Sequence, residues 1–137
     1  DHVTISAALL DLYDLTGQDV YLDMPRELMS YCEHSMWDEA GFTDRARANL
    51  TGHDAPVGLL REPYRPLGLN CRAAIVLARL AVLADEPKYQ DLAVRTLACQ
   101  SPVYREHGLD GAAYVLALDR VRHARSDDGQ EHLKPEV

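Results

Sequence analysis

The side chains best suited to chemistry are a tryptophan set among carboxylates and a few polar residues at the expected starts of helices. The first group is Trp37, Asp38 and Glu39 with Asp44, joined further on by Arg61, Tyr64 and Arg65. An aromatic ring beside acids is the equipment of a sugar cleft, where the ring face stacks and the acids take hydroxyls. Glycoside chemistry needs two opposed carboxylates at a defined separation, and Asp38 or Glu39 with Asp44 would supply the pair. The second group is Asp1 with His2, then Asn70, then Asp110. A helix N-terminus offers free N–H groups and partial positive charge, suited to an anion or a sugar hydroxyl. The same field lowers a carboxylate's pKa, which makes Asp1 and Asp110 anchors or bases and not acids. The substrate-binding candidates are therefore Asp1, His2, Trp37, Asp44, Asn70 and Asp110, with no catalytic residue assigned. The competing reading is plain structure: Asp1, Asn70 and Asp110 as helix caps, the acids as a solvated loop, and Trp37 closing a hairpin end.

Other chemistries find no pattern. The six histidines are scattered. Cys32-Glu33-His34 suggests a metal cluster, yet neighbours two apart point to different faces of a helix, and His53-Asp54 stands alone in a loop. No spacing matches a zinc site, so neither a metal nor a cofactor is expected. Gly-rich phosphate loops, CxxC and GxSxG motifs are missing. A net charge of −8 argues against nucleic acid as partner, since that task needs a basic face. The basic run Arg120, Arg122, His123 and Arg125 reads as the last turn of a helix complementing its dipole. With no run of 18 apolar residues, no membrane span is expected. No signal-peptide pattern is visible, and a start at Asp1 without methionine suggests a piece of a longer chain. Cys32, Cys71 and Cys99 are odd in number and far apart; a reducing cytoplasm suits them better than a disulfide framework.

The elements that must position these groups are helical. Leu9, Leu12, Leu15 and Tyr21 overlay Leu77, Leu80, Leu83 and Tyr89, an offset of 68 residues. In both copies an apolar helical stripe ends at a polar break and a tyrosine opens the next helix, the mark of stacked helical hairpins. The periodicity predicts helices over about 2–15, 19–37, 70–84, 87–100 and 110–122, with Pro25 forcing a kink or a late start in the second. Residues 38–68 hold four glycines and three prolines. They form a long excursion, of which 58–65 could pair as short strands. The expectation is one all-α domain over 1–123 and a polar tail over 124–137. Buried and amphipathic helices alternate, as inner and outer helices of a ring would; a plain bundle is the alternative.

The stretches Ala8-Leu9-Leu10-Asp11-Leu12-Tyr13-Asp14-Leu15-Thr16-Gly17, Trp37-Asp38-Glu39-Ala40-Gly41-Phe42-Thr43-Asp44, Arg65-Pro66-Leu67 and Gly111-Ala112-Ala113-Tyr114 come in an order that resembles one family. It is the thioredoxin-domain-containing family that includes spermatogenesis-associated protein 20, and the likeness is to its C-terminal (α/α) toroid over about residues 1–122. The departures are Pro25 where a helix former is usual, a single Gly41, and Gly68-Leu69-Asn70 before the third helix. The resemblance implies a partial ring of six-hairpin glycosidase-like fold, whose parent carries thioredoxin-like and further helical parts. It implies a fragment that binds or processes a carbohydrate, or else a non-catalytic helical interaction module. A half ring also leaves the flank of its buried helices open, so self-association is expected.

Overall fold

The computed structural model describes residues 1–46, 58 and 62–127. The fold is all-α. Helices α1 (His2–Thr16) and α2 (Val20–Met36) make a first hairpin, and α3 (Leu67–Leu83) and α4 (Pro87–Gln100) a second. A 3₁₀ segment, Tyr104–Gly111, leads into α5 (Ala112–Asp127). Directly after α2, β1 (Trp37–Asp38) and β2 (Gly41–Phe42) pair antiparallel with Trp37 opposite Phe42.

The sequence repeat is a packing register. Arg72 Nη1 donates to Thr4 Oγ1 at 3.1 Å and Arg79 Nη1 to Asp11 Oδ1 at 2.8 Å, both pairs 68 residues apart. Equivalent residues of α1 and α3 thus lie side by side, and the two helices run parallel. Helix α3 packs on α1, α2, α4 and α5, and α1 and α2 pack on each other. The core is drawn from every helix: Leu10, Met29, Leu77, Leu80, Leu92, Leu97 and Val121 are all buried. Each such side chain contributes roughly 1.5–3 kcal/mol on burial, so the middle helix, buried along most of its length, anchors the rest.

The turns between paired helices also repeat. Helix α1 stops at Gly17, whose φ of 64° is left-handed and whose N–H reaches Tyr13 O at 2.8 Å. Its equivalent after α3 is Asp85, also left-handed at φ 52°. There Asp85 N–H bonds Val82 O and Glu86 N–H bonds Ala81 O, the paired bonds of a Schellman motif. Pro87 then occupies the first turn of α4, where its missing N–H costs nothing.

Several boundaries differ from the sequence expectation. Helix α3 begins at Leu67 after an extended Pro66, so Asn70 lies inside its first turns and does not cap it. Helix α5 begins at Ala112, which leaves Asp110 in the 3₁₀ segment. The chain is pinned there: a Cβ on Gly111 would stand 2.6 Å from Tyr104 O, and Tyr104 stacks on Tyr114 at 4.3 Å. Helix α5 also runs on to Asp127, into the stretch expected to be tail. Helix α2 starts early and passes through Pro25, whose ring is buried. Trp37 leaves that helix and enters β1. The short strands fall at 37–42; the described residues within 58–65 form none. His53, Asp54, Arg61 and residues 128–137 lie outside the described residues.

Candidate functional site

The polar residues of interest gather where the β1–β2 hairpin meets α3 and α4. Its centre is Asn70, fully buried. The side-chain Oδ1 accepts from Phe42 N–H at 2.7 Å, and Nδ2 donates to Phe42 O at 2.9 Å and to Pro66 O at 3.0 Å. The amide therefore behaves as one more residue of strand, satisfying both backbone groups of Phe42. Burying those groups unpaired would cost about 1–3 kcal/mol each. The approach is close enough to dictate the residue before Phe42. Gly41 has φ 114°, and a Cβ there would lie 2.8 Å from Asn70 Oδ1 and 3.1 Å from Gln100 Nε2. Glycine is required on both counts.

The rest of the hairpin is held by its own chemistry. Asp38 Oδ1 accepts from Ala40 N–H at 2.9 Å, which shapes the turn, and also from Arg65 Nε at 3.2 Å. Arg65 Nη2 pairs with the other carboxylate oxygen. That pairing raises the Arg65 pKa above its ordinary value, against the opposing effect of burial. Thr43 N–H donates to Met36 O, and the Thr43 hydroxyl lies 2.9 Å from Met36 O and 2.7 Å from Arg45 O. Asp44 N–H donates to Tyr64 O at 2.8 Å, which ties both ends of the excursion together. Cys99 Sγ reaches Glu39 O at 3.2 Å. Burial pushes all three thiols up, Cys71 to about 11, so none is a thiolate at neutral pH.

Each candidate residue can now be placed. Trp37 is buried, its ring 5.4 Å from Phe42, with the Arg95 guanidinium 5.3 Å over it. Asp44 is exposed and anchored through its backbone. Asp1 stands at the N-cap position of α1 without a side-chain capping bond. The His2 ring lies 5.3 Å from Tyr31. Asp110 lines a depression of about 430 Å³ with Tyr64, Gly68, His107 and Leu109. The parallel run of α1 and α3 brings their starts to one end, yet the six side chains do not share one cleft. Trp37 and Asn70 meet through Phe42, while His2 and Asp110 keep company with other residues. Among the described residues, no three His, Cys, Asp or Glu side chains stand close enough to hold a metal ion.

Sequence reasoning missed Gln100, Thr43 and Arg95 as parts of the junction. It also missed Arg79, which joins α1 and α3 through Asp11 and Asp14. For Arg79 a signal existed, since the 68-residue offset sets it opposite Asp11. A surface crevice of about 690 Å³ lies along this row between Asp11, Arg79, Leu116, Arg120 and His123. Among the described residues no helix is long and apolar enough to cross a membrane. Neither a protein-family model, nor a curated protein, nor a solved structure matches the chain.

Proposed function

We propose that the chain is a structural and interaction module of stacked helical hairpins, whose first hairpin offers an open face to another helical element. One observation carries this reading. Positions equivalent under the 68-residue repeat share burial on one face of each hairpin and differ on the other. Val3, Ser6 and Leu10 are buried, as are Cys71, Ala74 and Ala78. Ile5, Leu12 and Met24 are 49%, 40% and 44% exposed, whereas Ala73, Leu80 and Leu92 are at most 3% exposed. The second hairpin has the first stacked against it, whereas among the described residues no further helix covers that side of the first. Its exposed stripe of Ile5, Leu12, Leu15, Met24 and Tyr31 follows helical spacing and is too apolar to be ordinary surface.

The carbohydrate reading rests on Trp37 presenting a free ring face, and that ring is buried beneath Arg95. The polar atoms of Asn70 are all spent on backbone. These facts favour the module over a self-sufficient enzyme; a sugar would need a surface supplied by further parts of a parent chain. We place the module in a reducing compartment such as the cytoplasm, since its cysteines are free and Cys32 and Cys71 serve as small core residues.

The test is binding of an apolar fluorescent dye to dilute wild-type chain and to a Leu12→Glu, Met24→Glu double variant. The expected result is dye binding by the wild type and a severalfold loss in the variant, with an unchanged melting temperature. A wild type that ignores the dye, or a double variant that melts as a core substitution would, overturns the reading.

A further inference from the structure

The open face of the first hairpin is edged by acid. Along α2 its apolar row is Val20, Met24 and Tyr31, all exposed. Beside that row Asp19, Asp23 and Glu27 recur at every fourth residue, so they stand one above the other on the helix surface. Glu27 lies three residues after Met24 and four before Tyr31, which makes it a surface neighbour of both.

Like charges at that spacing work against a helix, and the molecule does little to offset them. Arg26 Nη1 takes Asp23 at 3.2 Å, but its Nε and Nη2 turn to Glu86, as does Lys88. Asp19 and Glu27 pair with no cation among the described residues. Residues 1–44 hold ten acids and a single Lys or Arg, which is Arg26. Asp11 and Asp14 are held by Arg79 and Asp38 by Arg65, so those three take no part here. The apolar row and its acidic edge therefore face solvent together.

Shape and charge then specify one kind of occupant. Ile5, Leu12 and Met24 correspond under the repeat to Ala73, Leu80 and Leu92, which are sealed where helices pack together. What this fold lays on such a face is a helix. We infer that the open face of the first hairpin takes an amphipathic helix of a partner protein. Its apolar stripe meets Ile5, Leu12, Met24 and Tyr31, and Lys or Arg along its edge meets Asp19, Asp23 and Glu27. Such rim charges govern encounter and choice of partner more than raw affinity. A second copy using the same face would set one acidic row against another, an arrangement that costs association. This inference rests on the docking reading above and names the partner's chemistry.

The probe is a fluorescent Leu/Lys peptide of about 18 residues, patterned as an amphipathic helix, compared with a Leu/Glu peptide of the same pattern. Anisotropy titrations with the full chain should show the basic peptide binding about tenfold more tightly, a preference that shrinks as salt is added. The double variant Asp19→Asn, Glu27→Gln should cut that preference severalfold. Glu39→Gln with Asp44→Asn removes two exposed acids elsewhere and should leave it unchanged. Leu12→Glu adds an acid to the face and should nevertheless lose the basic peptide, and melting curves verify that each variant folds. A basic peptide held as tightly by Leu12→Glu as by wild type answers only to the net charge of −8 and overturns the inference. Equal affinity for the two peptides overturns it too. So does sedimentation of the chain alone that shows a dimer lost in Leu12→Glu, because a second copy then covers the face. If neither peptide binds while the apolar dye still reads Leu12 and Met24, the inference falls and the docking reading stands with a different partner. If the dye is ignored as well, both fall.

Discussion

The two hairpins share a register, a turn geometry and half of a burial pattern, and they differ in what lies behind them. Among the described residues, α3 packs on four helices, α1, α2, α4 and α5, and α1 on two, α2 and α3. The equivalent residues that differ in exposure are sealed in the more crowded second hairpin and open in the first. What separates a core position from a docking position in this fold is therefore the presence of a neighbouring hairpin, not the chemistry of the residue. Leu12 and Leu80 are the same side chain at the same point of the same pattern. One is a third of the way into solvent or more, and the other is sealed. In stacked helical architectures stability resides in the joints between units as much as within them.

The largest break in the comparison lies at Asn70. Its equivalent in the first hairpin, 68 residues earlier, is His2, which only leans on Tyr31. Asn70→Ala leaves the N–H and the carbonyl of Phe42 buried without partners, at about 1–3 kcal/mol each. The expected loss is roughly 2–6 kcal/mol by urea denaturation, against a change within about 0.5 kcal/mol for His2→Ala at the surface. Asn70→Asp would keep the acceptor for Phe42 N–H while losing both donors, so it too destabilises. An Asn70→Ala variant as stable as wild type would mean that the hairpin does not depend on this amide.

Next comes the pair of leucines. Leu80→Ala opens a cavity in a sealed core and should cost about 2–5 kcal/mol. Leu12→Ala removes a half-solvated side chain and should cost less than about 1 kcal/mol in the monomer. Equal losses at the two positions would show that the first hairpin's flank is covered in solution.

How much of this was legible follows from which forces act locally. The all-α class and the five helices could be read from the period of Ala and Leu, and the repeat from Leu9 to Tyr21 over Leu77 to Tyr89. The stop at Gly17 could be read because glycine advertises a left-handed residue. Asp85 at the equivalent point does not, so that turn stayed hidden. The β1–β2 hairpin was invisible because strands of two residues have no period. Asn70 looked like a cap because its type suits a cap; its actual partner is Phe42, 28 residues away, and no local rule reaches that far. Trp37 beside acids looked like a sugar platform, whereas Arg95, distant in sequence, covers the ring. The open face was legible as an apolar stripe, but a stripe reads alike whether its cover is present or absent.

The turns offer a smaller and opposite-signed test. A non-glycine residue held in the left-handed region costs roughly 1–2 kcal/mol, less for Asp, which tolerates it better. Asp85→Gly should therefore stabilise by up to about 1 kcal/mol, and Gly17→Ala should destabilise by about 1 kcal/mol. The equivalence of the two turns stands on these shifts having opposite sign. If both substitutions destabilise alike, the Asp85 side chain supports its turn in a way that Gly17 does not mirror.

The smallest expected effect concerns charge at the joint between α2 and α4. Glu86 takes Arg26 Nε at 2.9 Å and Lys88 Nζ at 2.6 Å; its equivalent in the first hairpin is the uncharged Gln18. Lys88 first and Arg26 second hold the Glu86 carboxyl below the usual carboxylate range. A carboxylate whose pKa is lower folded than unfolded stabilises the fold above its unfolded value, about 4.3 for Glu. That contribution is lost as pH falls through the lowered folded value. Glu86→Gln should thus lower the urea midpoint slightly at pH 7, and the gap to wild type should close as both are titrated toward pH 3. Added salt should narrow it as well, since the pair is near the surface. The two hairpins are joined here through ions on a rim and elsewhere through Leu80 and its neighbours in a core. A gap that persists undiminished at pH 3 would mean that Glu86 acts through packing, and the rim would then be an extension of the core.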